Sequence, residues 1–215
     1  MESVLGEAVA LLDEAGAPAL TFRALAQRLG GGVASIYWYV ANKDELLDLA
    51  TDHVMAGVLA DLEKLPPTED AIDDLRAMAV TLFDAVVRRP WLGAYFMRNT
   101  DVQSNSLRIY EMLGRQTLRL DLTARQRFHA VSAVIGVVVG SAVDMGQEPP
   151  QEILDGATDR DEYLGRFART WRELAPRDFP FIHDIVDEFD GHDDTDQFRS
   201  ALDLTLTGLR HQAGL

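Results

Sequence analysis

Apolar residues recur three and four positions apart along almost the whole chain, and no stretch alternates apolar and polar residues as a half-buried strand would. That periodicity confines the chain to an all-α fold. Leu5, Ala8, Leu12 and Ala15 make a first stripe, which Gly16 and Pro18 close. Thr21 stands where an N-cap belongs, ahead of Phe22, Leu25, Ala26 and Leu29, and Gly30-Gly31-Gly32 breaks this second helix. Residues 33–40 predict a third, very short helix. Asn42 then precedes a long amphipathic run through Leu46, Leu49, Val54 and Leu62 that ends at Pro66-Pro67.

Residues 1–47 therefore form a three-helix module, and the long helix, reaching about residue 63, links it to a second domain over 66–215. There Thr68 is expected to cap a helix running to about Arg89, and Pro90 forces a break before a helical stretch at 91–98. Helices follow at about 102–120 and 123–146. The segment 147–160, with Pro149-Pro150 and Gly156, predicts a mobile loop, and helical spacing returns at about 161–174, 179–189 and 194–212.

Composition removes several function classes. The chain has no cysteine, which excludes disulfides, thiol catalysis and the commonest structural zinc sites. No phosphate-binding glycine loop or His-Glu-x-x-His motif is present, so an enzyme is not expected and no cofactor is implied. The opening residues carry acidic groups in place of a basic start followed by an apolar block, so a cytoplasmic location is expected. The longest apolar run, 130–143, falls short of the ~20 residues of a membrane span and reads as a buried helix. The net charge is −15, and residues 1–50 hold three basic against seven acidic side chains. A nucleic-acid contact made by this module must rest on local geometry, because bulk charge opposes it.

A short helix, a glycine turn and a second short helix place the second helix in the DNA major groove while the first crosses the backbone. The residues in that arrangement run Leu20-Thr21-Phe22-Arg23-Ala24-Leu25-Ala26-Gln27-Arg28-Leu29-Gly30, then Ser35-Ile36-Tyr37-Trp38-Tyr39-Val40, then Asn42-Lys43-Asp44-Glu45-Leu46-Leu47. Over residues 5–50 this closely resembles the tetracycline-repressor (TetR) family, with its leucine-alanine helix, aromatic recognition helix and asparagine-lysine step. Beyond them it resembles the family in architecture. The resemblance implies a homodimer reading a palindromic double-stranded DNA operator, with a ligand pocket in the C-terminal domain.

It also implies residue roles. Arg23 matches a residue that reaches a base edge, where its guanidinium can fork onto guanine. Val33, Ala34 and Ser35 open the recognition helix, the apolar pair suited to a thymine methyl and the hydroxyl to base or phosphate. Tyr37 and Tyr39 match aromatics on the DNA backbone, and Trp38 one that packs beside them. Thr21 and Lys43 match phosphate contacts at helix N-termini. The plainer reading of Tyr37 and Trp38 is that they hold the three-helix core; that of Arg23 and Lys43 is solvated surface charge. Ile36 and Leu29 are assigned to packing. The resemblance implies a basic arm ahead of the first helix, whereas this sequence opens almost at that helix with Glu2, the arm being either absent or outside this sequence; Gly31 and Gly32 stand where side chains often read bases. Weak dependence on several operator positions and strong salt sensitivity are expected.

In the C-terminal domain, Ser132, Gly136 and Gly140 lie four apart and admit a close helix, while Phe198, Leu202, Thr205 and Leu209 make a 4-3-4 stripe. Both suit a four-helix bundle across a two-fold axis; the alternative is internal packing. A pocket is expected among Trp91, Tyr95, Phe96, Tyr110, Met112, Phe128, His129, Met145, Phe167 and Trp171, suited to an apolar or aromatic effector if these residues are not plain core. The acidic segment 183–196 fits no calcium loop, and no metal site is assigned. The reading that results is a ligand-responsive transcriptional regulator, a repressor released by a small molecule, without membrane association. Its rival is a small-molecule-binding helical protein with a degenerate DNA module.

Overall fold

Gly16 adopts φ +69°, a left-handed value open to glycine at little cost, and Ala15 beside it leaves helical geometry. The first helix, α1 (Glu2–Ala19), is therefore kinked at the residues that closed its apolar stripe. A computed structural model describes residues 1–145, 149–189 and 191–215. Among the described residues there are eleven α-helices and no strand. Gly146, expected at the end of a helix, Gln147, at the start of a loop, and Asp190, in the acidic segment, lie outside the described residues.

Thr21 caps α2 (Phe22–Arg28), its Oγ1 accepting the Ala24 amide at 3.1 Å. The glycine turn leads into α3 (Val33–Ile36), a single turn shorter than the 33–40 span suggested. Asn42 caps α4 (Lys43–Leu62) by accepting the Glu45 amide at 2.9 Å, and Glu45 reaches back to the Ala41 amide at 2.6 Å. Leu12, Leu20, Leu25, Ile36 and Leu46, all buried, bring α1 to α4 together over one small core.

The cap of the next helix, α5 (Ala71–Arg88), lies two residues later than expected. Asp70 is the N-cap, accepting the Ile72 amide at 2.8 Å, while the Thr68 hydroxyl bonds the Asp70 backbone. Pro90 ends the helix as expected, but the stretch after it is a 3-10 turn, Pro90–Ala94, and not a helix over 91–98. Then come α6 (Ser104–Leu118) and α7 (Ala124–Met145). α4 packs on α6, and α7 packs on both α5 and α6. The final helix, α11 (Asp194–Gln212), runs antiparallel to α5: Arg210 pairs with Asp70, Arg76 with Asp203, and Phe198 stacks on Phe83 with ring centroids 3.6 Å apart.

The chain divides into two compact units, Met1–Gly146 with Phe198–Leu215, and Gln147–Gln197. The second holds α8 (Gln151–Leu154), α9 (Arg160–Arg172), α10 (Pro180–Ile185) and a 3-10 turn at Val186–Phe189. The segment expected to be a loop thus contains a one-turn helix. Within this unit Trp171 meets Phe189 edge-on at 4.6 Å, and His183 Nε2 donates to the Leu174 carbonyl at 2.8 Å.

Candidate nucleic-acid interface and effector groove

Among the expected DNA-contacting residues, the structure gathers Thr21, Arg23, Val33, Ala34, Ser35, Tyr37, Trp38 and Tyr39 on the exposed surface of α2, α3 and the turn that follows α3. Trp38 is 85% exposed and Tyr37 60%, so the reading in which both hold the core fails. Ile36, immediately before them in sequence, does that at 1% exposure. Phe22 braces Tyr37 edge-on at 4.9 Å, which fixes an aromatic that otherwise faces solvent. Two hydroxyls are half-used. Thr21 accepts inside the protein and keeps its proton to donate, whereas Ser35 donates to the Gly32 carbonyl at 2.6 Å and keeps its lone pairs.

Cations are scarcer on this face than the sequence suggests. Lys43 is half-buried, and its ammonium donates to the Ala17 carbonyl at 2.6 Å, tying the start of α4 to the end of α1. One of its three N–H donors is thereby committed inside the module. Arg28 is bonded to Glu14 with Glu7 nearby; its hydrogen bond holds the Glu14 carboxyl below its ordinary value. Arg23 is exposed.

Behind the module, one segment meets it at three places. The Trp91 indole donates to Asp13 Oδ1 at 2.7 Å and Arg89 Nε to Asp13 Oδ2 at 3.1 Å, gripping α1. Arg98 Nε donates to Asp48 Oδ1 at 2.8 Å and its Nη2 to the Asp44 carbonyl at 2.9 Å, gripping α4. One turn on, Asp52 accepts the amides of Asn105 and Ser106 at 2.8 and 3.1 Å, so α4 caps the N-terminus of α6. Asp48 and Asp52 are both buried among the apolar residues of α4.

The other side of the same segment forms a wall of an open groove of about 550 Å³. Gly93, Phe96 and Met97 line one side, Tyr110 of α6 another, and Ser132, Ile135, Gly136, Val139 and Gly140 of α7 the rest. A Cβ on Gly93 would lie 3.0 Å from a Val143 methyl and 3.3 Å from a Val86 methyl, so a larger residue there would push the turn and α7 apart by a few tenths of an ångström. Of the expected pocket residues, Phe96 and Tyr110 meet here, joined by three small residues expected at a dimer contact.

The others are dispersed. Trp91 is spent on Asp13; Tyr95 carries the Arg98 guanidinium 4.8 Å above its ring; Met112 lines a separate groove with Leu62, Leu65, Pro66 and Pro67. Phe128 and His129 are exposed, and Met145 is half-buried at the end of α7. Phe167 and Trp171 belong to the second unit, where Tyr163 and Phe189 are their ring partners. In the acidic segment Arg172 bonds Asp187, while Arg160 and His192 both reach Asp194.

The expected dimer stripe needs correction. Phe198, Leu202 and Leu209 are buried within the chain, because α11 turns its apolar face to α5, and Thr205 is half-buried with its hydroxyl on the Ala201 carbonyl. What the first unit leaves uncovered is the opposite face of α11, with Leu204, and a face of α7 running from Phe128 through Ser132 and Gly136 to Val143. By length and composition α7 could cross a membrane, having 22 residues and a mean hydropathy of 1.7. Its buried side, Val131, Val134, Val138 and Ala142, nevertheless packs in the bundle core.

Residues 4–50 match the family of bacterial regulatory proteins, tetR family, and residues 65–213 match the tetracyclin repressor-like C-terminal domain. The chain belongs to the TetR family. A solved TetR regulator from Streptomyces coelicolor, SCO7222, is 34% identical, with a TM-score of 0.78 over 99% of this chain and 98% of that one. The transcriptional repressor DrrR1 of Streptomyces coeruleorubidus is 27% identical over 97% of this chain and 76% of its own length. A transcriptional regulator of Saccharopolyspora erythraea is 31% identical over 140 residues, which span 65% of this chain and 58% of that protein. These TetR relatives are transcriptional regulators with a helix-turn-helix DNA-binding domain, and the match covers both parts of the chain, so the reading as a degenerate module is not favoured.

Sequence reasoning did not find Asp13, Gly93, Met97, Arg98 or Gln103. Asp48 and Asp52 carried a signal, since two acids four apart interrupt the apolar face of α4 that Leu47, Thr51 and Met55 share.

Proposed function

We propose that this TetR-family chain is a cytoplasmic homodimeric repressor, not an enzyme, that occupies a palindromic operator until an apolar or aromatic small molecule enters the groove beside α7. One observation carries the reading: the wall of that groove, Gly93 to Met97, lies between the side chains that grip the DNA-binding module, Trp91 on Asp13 and Arg98 on Asp48. A ligand that prefers a displaced wall then favours a displaced module, which is the differential affinity a population shift requires. A second copy, and not lipid, covers the apolar face of α7. Arg23 and the exposed aromatics contact DNA, aided by Thr21, Val33, Ala34 and Ser35.

The test is a titration of fluorescent DNA from upstream of the protein's own gene, with anilinonaphthalene sulfonate as an aromatic probe. The wild type forms a specific complex that the probe dissolves. Tyr110→Ala, which takes an aromatic from the α6 wall of the groove and leaves the face of α7 untouched, keeps the complex and loses most of the response to the probe. An equal response in both proteins contradicts the groove.

A further inference from the structure

Met97 is the one non-glycine residue with a positive φ among the described residues, at +59°. An unbranched side chain there crowds the following carbonyl, and such residues persist where their surroundings over-determine them. Here the surroundings can be named. The Arg98 amide donates to the Tyr95 carbonyl at 3.2 Å, closing a turn around Met97. Gln103 Nε2 donates to that same carbonyl at 2.8 Å and to Asp48 at 3.3 Å. The Arg98 guanidinium then sits on the Tyr95 ring and on α4 through Asp48 and Asp44. Gln103 is wholly buried and its Oε1 finds no donor, so this small knot is not at rest in its hydrogen bonding either. On the other side, the Met97 side chain lines the groove.

We propose that Met97 is a sprung joint. Its backbone is held left-handed while Arg98 is seated on Asp48; a ligand that displaces the Met97 side chain lets the backbone relax and withdraws Arg98 from the linking helix α4. The ligand half of this rests on the groove reading above. The joint itself does not, since the strain and the Arg98 contacts are present in the chain alone. The strain lowers the threshold for release, because part of the free energy of unseating Arg98 is stored in the turn.

Two substitutions separate the backbone from the side chain. Met97→Gly removes the left-handed penalty and the side chain together; Met97→Ala removes the side chain and keeps the penalty. In ligand-free protein, hydrogen exchange of the Arg98 Nε proton, followed by nitrogen-15 NMR, reports how often Arg98 leaves Asp48. Met97→Gly is expected to slow that exchange about fivefold, the factor carried by the strain relieved, while Met97→Ala does not slow it. Anilinonaphthalene sulfonate should accelerate it in the wild type and bind Met97→Gly about fivefold more weakly than Met97→Ala. Exchange in Met97→Gly as fast as in the wild type, or slowed equally by Met97→Ala, overturns the joint. A probe that binds none of the three proteins contradicts the groove reading alone, and the exchange comparison still decides the joint.

Discussion

The Trp91 indole nitrogen lies 2.7 Å from Asp13 Oδ1, 78 residues away in sequence, and this bond fastens the turn beside the groove to the first helix of the DNA-binding module. It stands beside a second bond to the same carboxylate from Arg89. α1 is therefore held by a neutral donor in a buried tryptophan and by a partly exposed ion pair.

Trp91→Phe keeps most of the apolar burial and removes the indole donor. With Arg89 still satisfying Asp13, the expected loss is about 1 kcal/mol, or about 3 °C in Tm for a chain of this size. In thermal melts the Trp91→Phe, Asp13→Ala double variant should lose less than the two single variants' losses added together, because the residues share one bond. Full additivity would show that the contact contributes nothing.

Asp48 and Asp44 both take bonds from Arg98, yet their environments differ: the Asp48 side chain is 5% exposed and that of Asp44 81%. Asp48→Ala strands Arg98, Asn99 and Gln103 around a vacated site and should cost about 3 kcal/mol in urea unfolding. Asp44→Ala should cost at most about 0.5 kcal/mol. Similar losses in the two variants would show that burial does not govern this clamp.

Acid should act on the far end of the bundle. Arg210 and the Ile72 amide hold the Asp70 carboxyl below its ordinary value. At Asp74 burial pushes the other way, but hydrogen bonds from Arg119 and Thr68 outweigh it. Both groups titrate lower in the folded chain than in the unfolded one, where an aspartate titrates near 3.9. Their contribution is thus complete above about pH 5 and is lost as pH falls through the lowered folded values. The stability gap between the wild type and Asp74→Asn should be constant from pH 7 to about 5 and shrink below about pH 4. A gap that widens on acidification would reverse the assigned direction.

Much of this was legible in the sequence because it is local. Spacing placed Gly16, Gly30 and Pro90 at the breaks, and Thr21 and Asn42 at the caps, since each acts within a turn of its own position. The direction in which an apolar stripe faces is not local. Phe198, Leu202 and Leu209 read equally well as a dimer seam or as core, and the register with Arg76, Phe83 and Asp70 of α5 turns them inward. The groove was half-found: Phe96 and Tyr110 were visible as aromatics, whereas Gly93 and Met97 act through backbone geometry that no side-chain pattern announces. Lys43 shows the same limit, as its partner Ala17 contributes a carbonyl that every residue has. With Arg28 also committed to Glu14, the expected strong salt dependence weakens.

The central claim is that this acidic module reads DNA through Arg23 and an aromatic surface. Anisotropy titration of DNA from upstream of its own gene, at a series of salt concentrations, tests it most directly. The wild-type dimer should bind specifically with a shallow log–log salt slope, no steeper than about −2, because Arg28 bonds Glu14 and Arg23 is aimed at a base edge. Lys43→Ala should leave that slope unchanged, and Arg23→Ala should abolish discrimination between this DNA and a scrambled duplex. Specific binding at wild-type affinity in Arg23→Ala, or no specific complex at low salt in the wild type, would contradict the account.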